Sequence, residues 1–200
     1  VPSGTRSREV IYRYASEDLR FLRDRNVKLI IAACGTASSV IDSALTDRLP
    51  MPYTGVIEPT ARAAAAATRN KKVGIIATLA SIRSGAYEAM LRRLDPAVEI
   101  IGKPCPLFVP LVENGRVRRG DVVIETVVRE YLEPLRATGI DTFLGVDPYV
   151  KGSSEICDLL TGEHGVKDWV EANYTVETDI EKLGDLMIER IEQKRAALGI

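Results

Sequence analysis

Val27-Lys28-Leu29-Ile30-Ile31-Ala32-Ala33 runs directly into Cys34-Gly35-Thr36-Ala37-Ser38-Ser39. The first seven residues are nearly all apolar and partly β-branched, the pattern of a short strand buried on both faces, as strands of a parallel sheet are. The next six are small and rich in hydroxyls, and they read as a loop feeding a helix that extends to about Leu49. Upstream, residues 7–25 place Ile11, Ala15, Leu19 and Leu22 on one helical face, and Asn26 ends that pattern. Downstream, Tyr53–Ile57 reads as a strand, and Pro59 opens an alanine-rich helix at its favoured first position. The run Ala63–Ala67 fits a helix face packed close to a sheet.

The alternation continues. Lys72–Thr78 predicts a strand, Ala80–Leu94 a helix, Val98–Gly102 a strand and Lys103–Gly115 a loop. A helix over about Asp121–Thr138 and a strand over Ile140–Val146 follow. Glu177–Leu198 repeats Ile180, Leu183, Met187 and Ile191 at helical spacing, with Thr178 and Glu181 forming a capping box. Alternating strands and helices imply an α/β fold: a parallel sheet with helices on both faces.

Composition narrows the function classes. The chain has 200 residues, 46% of them apolar, which is too apolar for a disordered chain. Its 27 basic and 28 acidic side chains give a net charge of −1, so no nucleic-acid partner is expected on electrostatic grounds. No apolar run is long enough to span a membrane. The cysteines, Cys34, Cys105 and Cys157, form no CxxC pair, which argues against a disulfide framework or a structural zinc site and for reduced thiols in a cytoplasmic protein. His164 stands alone in a Gly-flanked turn with no ligand trio around it, so no metal is expected. Val1-Pro2-Ser3-Gly4 has no signal-peptide pattern and no initiator Met, and it reads as the start of a segment inside a longer parent.

Ligands of open parallel sheets bind beyond the carboxyl ends of the strands. Four loops qualify here, after Ala33, Thr78, Gly102 and Val146. The first carries most chemistry. Cys34 sits between a strand end and a helix start, where free N–H groups and the helix dipole favour a thiolate or a bound carboxylate. Thr36, Ser38 and Ser39 add hydroxyls. The bland alternative is that Cys34 is one more small packed residue, the usual state of a free cysteine.

Several segments carry a resemblance to the glutamate racemase family. Ala33-Cys34-Gly35-Thr36-Ala37-Ser38 resembles its "ACNTAS" loop, and Val1-Pro2-Ser3-Gly4-Thr5-Arg6-Ser7 resembles its "PYGTRS" segment. Gly55-Val56-Ile57-Glu58-Pro59, Ile82-Arg83-Ser84-Gly85-Ala86-Tyr87 and the stretch from Cys105 to Glu113 are similar to further family motifs in the same order. The resemblance covers about residues 1–150. It implies two α/β domains facing each other across a cleft, and cofactor-free, metal-free interconversion of L- and D-glutamate for the bacterial wall. Inverting a stereocentre by proton transfer needs one base on each face of Cα. The resemblance assigns those roles to two thiols, one per domain. Cys34 matches the first, and Glu113 matches an acid near the second catalytic centre. Ser3, Gly4, Gly35, Thr36 and Thr78 fall on substrate-contacting positions.

The departures concentrate on the ligand site. The second thiol lies in the family's "GCTHYP", whereas this chain reads Gly145-Val146-Asp147-Pro148-Tyr149-Val150. Val146 replaces the cysteine and Pro148 the histidine. Gly35 replaces an asparagine and Ser3 a tyrosine. The family's opening "DSGVGG" strand is absent. Asp147 is the one nearby group that could act opposite Cys34, although a carboxylate of ordinary pKa near 4 is a poor base for an α-proton. These losses imply an impaired racemase; the alternative reading is a non-catalytic, even engineered, scaffold or binding module on the same fold. The expected organisation is a partial first domain over 1–58, a second domain over 59–146, and a C-terminal segment, 147–200, that completes the first. The missing strand leaves a sheet edge to cover, and a homodimer is one expected solution.

Overall fold

The computed structural model describes residues 5–116 and 121–145. The first helix, α1 (Arg8–Arg23), leads to β1 (Ile30–Ala32), two single-turn helices α2 (Gly35–Ser38) and α3 (Ser43–Thr46), and β2 (Tyr53–Gly55). Next come α4 (Ile57–Ala67), β3 (Lys72–Ala77), α5 (Leu79–Ser84), α6 (Ala86–Leu94) and β4 (Glu99–Pro104). The order ends with α7 (Phe108–Glu113), α8 (Val122–Arg136) and β5 (Thr142–Gly145).

The strands form two parallel sheets. β1 pairs with β2, with Ile30 opposite Tyr53. The second sheet has the order β4-β3-β5, with Val73 opposite both Ile100 and Thr142. Its central strand explains its own position, because Val73 to Ala77 are all buried. One face packs Val73 and Ile75 against Ala61 and Ala64 of α4 and Tyr87 and Leu91 of α6. The other packs Ile76 against Phe108 of α7 and Ile124, Val128 and Leu132 of α8. Helices therefore cover both faces of this sheet, and the alanines of α4 let that helix lie close. A Cβ on Gly74 would come within 2.4 Å of Ile140 Cδ1, so the tip of that side chain would have to shift to admit one.

The first sheet is slighter. Ile30 joins Leu19, Leu49 and Met51 in a small core, but Ile31 is 46% exposed. Burial of both strand faces therefore fails here, and the hydrogen-bonded part is shorter than the apolar run because β2 offers only three partners. The single helix expected up to Leu49 is instead two turns, restarted by Asp42, whose carboxylate caps Leu45 N–H at 3.2 Å. Pro59 is third in α4, where the backbone still needs no N–H donor. The helix expected over Ala80–Leu94 breaks at Gly85, which adopts φ 65° in the left-handed region that glycine enters without penalty. The expected loop Lys103–Gly115 contains the end of β4 and all of α7. Helix α4, which packs on the second sheet, begins at Ile57. Ser3, Gly4, Asp147, Cys157, His164 and the final apolar stripe lie outside the described residues.

Candidate functional site

Cys34 is the residue before α2, in extended conformation, with a partly exposed side chain. Its carbonyl accepts the first intrahelical bond, from Ser38 N–H at 2.8 Å, and its thiol makes no capping bond. The helix it starts is one turn long, so the macrodipole argument made from a longer helix carries little weight. The location does hold: a thiol at the carboxyl end of β1, followed by the buried Gly35 and Thr36.

Thr36 is the pivot. It is 1% exposed, and its Oγ1 lies 3.0 Å from Thr78 Oγ1 and 3.2 Å from Ser81 Oγ. Thr78 Oγ1 donates to Ser81 Oγ at 3.1 Å and accepts the Ser81 N–H at 3.3 Å, which caps α5. Three buried hydroxyls thus close a triangle between the loop after β1 and the loop after β3. Hydroxyls both donate and accept, so this triangle satisfies itself and is also able to turn donors toward an anionic ligand.

Tyr87, on α6, is a further neighbour. Burial pushes its hydroxyl above the usual tyrosine range, and the nearby Cys34 thiol adds to the rise. Cys105, after β4, is 2% exposed, and burial pushes its thiol up to about 12, against smaller opposing effects from Lys103 and the Ala77 backbone. A buried thiol held in its neutral form is a packing residue rather than a nucleophile.

Glu113, the last residue of α7, lines a cavity of about 130 Å³ with Thr5, Thr78, Leu79 and Cys105. The structure therefore brings Thr36 to Thr78 and Thr78 to Glu113, while Cys34, Gly35 and Thr36 share one loop. Ser3, Gly4 and Asp147 are not among the described residues. Sequence reasoning missed Ser81 and Tyr87 as site neighbours. The spacing Thr78-x-x-Ser81 was a capping signal that could have found the first. Nothing local marks the second, which arrives only through the packing of α6. Among the described residues no group of three or more His, Cys, Asp and Glu side chains is arranged to hold a metal ion, and no helix is long and apolar enough to cross a membrane.

The family model described as Asp/Glu/Hydantoin racemase matches residues 2–141. A glutamate racemase of Geobacter metallireducens is 40% identical over 194 residues, covering 96% of this chain and 71% of that one. One of Sulfurihydrogenibium is 44% identical over 145 residues, covering 72% of this chain but only 55% of that protein. Among solved structures, a glutamate racemase isoform of Bacillus anthracis superposes with a TM-score of 0.73 at 32% identity, covering 95% of this chain and 69% of that one. The Thermus thermophilus glutamate racemase, in complex with β-chloro-D-alanine, gives 0.70 at 32% identity, covering 100% of this chain and 68% of that one. A matched model over most of the chain, close relatives and shared parallel α/β architecture agree: this chain belongs to the Asp/Glu racemase family.

Proposed function

We propose that this chain is a glutamate racemase-type protein that binds glutamate beside Cys34, with the thiol as the base on one face of Cα and inversion slowed by the lack of a matching thiol on the other. The observation that supports this most is the meeting of Thr36, Thr78 and Ser81 next to the Cys34 loop. Such hydroxyls suit a carboxylate and an ammonium group, and the half-exposed thiol suits an α-proton. The relatives named glutamate racemase supply the substrate. The reaction in this reading uses no cofactor or metal. The product would be D-glutamate for the cell wall, made in the cytoplasm.

Efficient inversion needs a second base. Val146 and Pro148 stand where the family resemblance places a cysteine and a histidine. By that resemblance Asp147 is the remaining candidate for the second base, and Glu113 is the acid that lines the same cavity as Thr78. Carboxylates are intrinsically much weaker bases than thiolates, so two-way turnover is slow in this reading. Losing one base of a pair costs several powers of ten in rate, at tenfold per about 1.4 kcal/mol of barrier. Polarimetric or circular-dichroism assay of L- and D-glutamate tests this: slow interconversion abolished by Cys34→Ala supports it, while rapid interconversion unaffected by Cys34→Ala contradicts it. A chain that binds glutamate and never exchanges its α-proton would favour the non-catalytic binding module.

A further inference from the structure

Away from the hydroxyl triangle, the described residues line a cavity of about 280 Å³. Its floor is apolar: Ile11 and Val40, each 3% exposed, with Leu79 and Ala80. Its rim carries three arginines, Arg6, Arg8 and Arg83, and no carboxylate lines it. Glu9 sits beside Arg8, but its carboxylate is held below the usual range by its own backbone N–H and the Ser7 hydroxyl. That carboxylate already serves the first turn of α1, so the helix end adds nothing to the cavity. Arg6 and Arg83 form no ion pair or hydrogen bond among the described residues.

We propose that this cavity binds a small organic anion, with its apolar body on Ile11, Val40, Leu79 and Ala80 and its carboxylate or phosphate between Arg6 and Arg83. Guanidinium forks match either oxyanion. An apolar floor with a few polar groups at its edge is the usual build of a small-molecule site, and the volume falls just below the common range of about 300–1,000 Å³. The site also has a route to the candidate active site. Helix α5 is their shared wall: Leu79, Ala80, Arg83 and Ser84 face the cavity, while its cap Thr78 and Ser81 form the triangle with Thr36. Ser84 Oγ donates to the Ser81 carbonyl at 2.6 Å, tying the two sides of the helix together. An occupant therefore biases the position of the hydroxyls that would meet glutamate. The binding claim itself does not depend on the glutamate reading.

Isothermal titration of the full chain with benzoate, phenyl phosphate and neutral benzyl alcohol tests the proposal. Saturable binding of at least one anion, with none for benzyl alcohol, is expected, and the stronger of the two anions names the oxyanion. Arg6→Gln and Arg83→Gln should each weaken that binding about tenfold, the loss of one charge-assisted contact. Both arginines are exposed, so the folded state survives, and far-UV circular dichroism verifies it. Ala80→Leu, which fills the floor, should block binding. Thr36→Val should leave benzoate or phenyl phosphate binding intact whatever it does to glutamate, which separates this site from the glutamate reading. No saturable binding of either anion, affinity in both arginine variants unchanged from the wild-type chain, or benzyl alcohol binding as tightly as the anions overturns the proposal.

Discussion

Thr36 Oγ1 and Thr78 Oγ1 lie 3.0 Å apart across 42 positions of sequence. That bond joins the loop after the first sheet to the cap of the helix after the central strand of the second. Thr36→Val keeps the shape and removes the hydroxyl, leaving Thr78 and Ser81 to bond each other. A stability loss of about 1 kcal/mol is expected in urea unfolding. Glutamate affinity, read by titration, should fall by more than stability does. A variant with unchanged glutamate binding would remove Thr36 from the site.

Cys34 and Cys105 should differ sharply toward iodoacetamide. Cys34 is partly exposed, whereas Cys105 is 2% exposed and its thiol is pushed up to about 12. Mass spectrometry of the folded chain at neutral pH should show Cys34 carboxamidomethylated well before Cys105, since the thiolate is the nucleophile. Labelling of Cys105 first would contradict the packing seen around it.

Burial of Cys105 also predicts a pH dependence. Its ordinary value is 9.0 and its folded value is about 12. A raised folded pKa means its stabilisation is fully present below pH about 9 and is lost as pH rises toward about 12. Over that window the unfolded state gives up the thiol proton while the folded state retains it. Relative to Cys105→Ala, which does not titrate there, the wild-type chain should lose about 1.4 kcal/mol per pH unit in alkaline unfolding. Parallel curves for the two proteins would show that the thiol is not held neutral.

Asp141 predicts the opposite direction. Burial pulls its pKa up, but bonds from Thr68 Oγ1 at 2.7 Å and from the Asn70 and Arg69 N–H groups at 2.8 and 2.7 Å outweigh it and hold the carboxylate below its usual range. Its stabilisation is present above the unfolded pKa and is lost as pH falls through the lower folded value. This clamp ties the start of β5 to the turn before β3. Asp141→Asn should cost about 2 kcal/mol at neutral pH and nearly nothing under strongly acid conditions. Chemical unfolding at two pH values checks it.

Periodicity made the second sheet legible, because Val73 to Ala77 and the apolar faces of α4, α6 and α8 are long enough to be unambiguous. It misjudged the region after β1. Ser38 and Ser39 look like an extended helix start, but Asp42 offers a new cap and splits the segment in two. Gly85 likewise reads as a tolerated helix glycine until its positive φ is seen. The place of the Cys34 loop at the carboxyl end of β1 was legible because a short apolar run ends there in small, hydroxyl-rich residues. The family resemblance marked Thr36 and Thr78 separately, as substrate-contacting positions; that their hydroxyls meet came from the fold. Ser81 and Tyr87 came only from tertiary packing, which a linear pattern does not encode.

Deuterium incorporation at Cα, followed by NMR separately for L- and D-glutamate in D2O, bears most directly on the reading of Cys34 as a base acting from one face. A single thiol returns its solvent-exchanged proton to the face it came from, so one enantiomer should gain deuterium with retention much faster than it inverts. The other enantiomer should exchange far more slowly, and Cys34→Ala should abolish the exchange of the first. Equal exchange of both enantiomers with rapid inversion, or exchange that persists in Cys34→Ala, would contradict it.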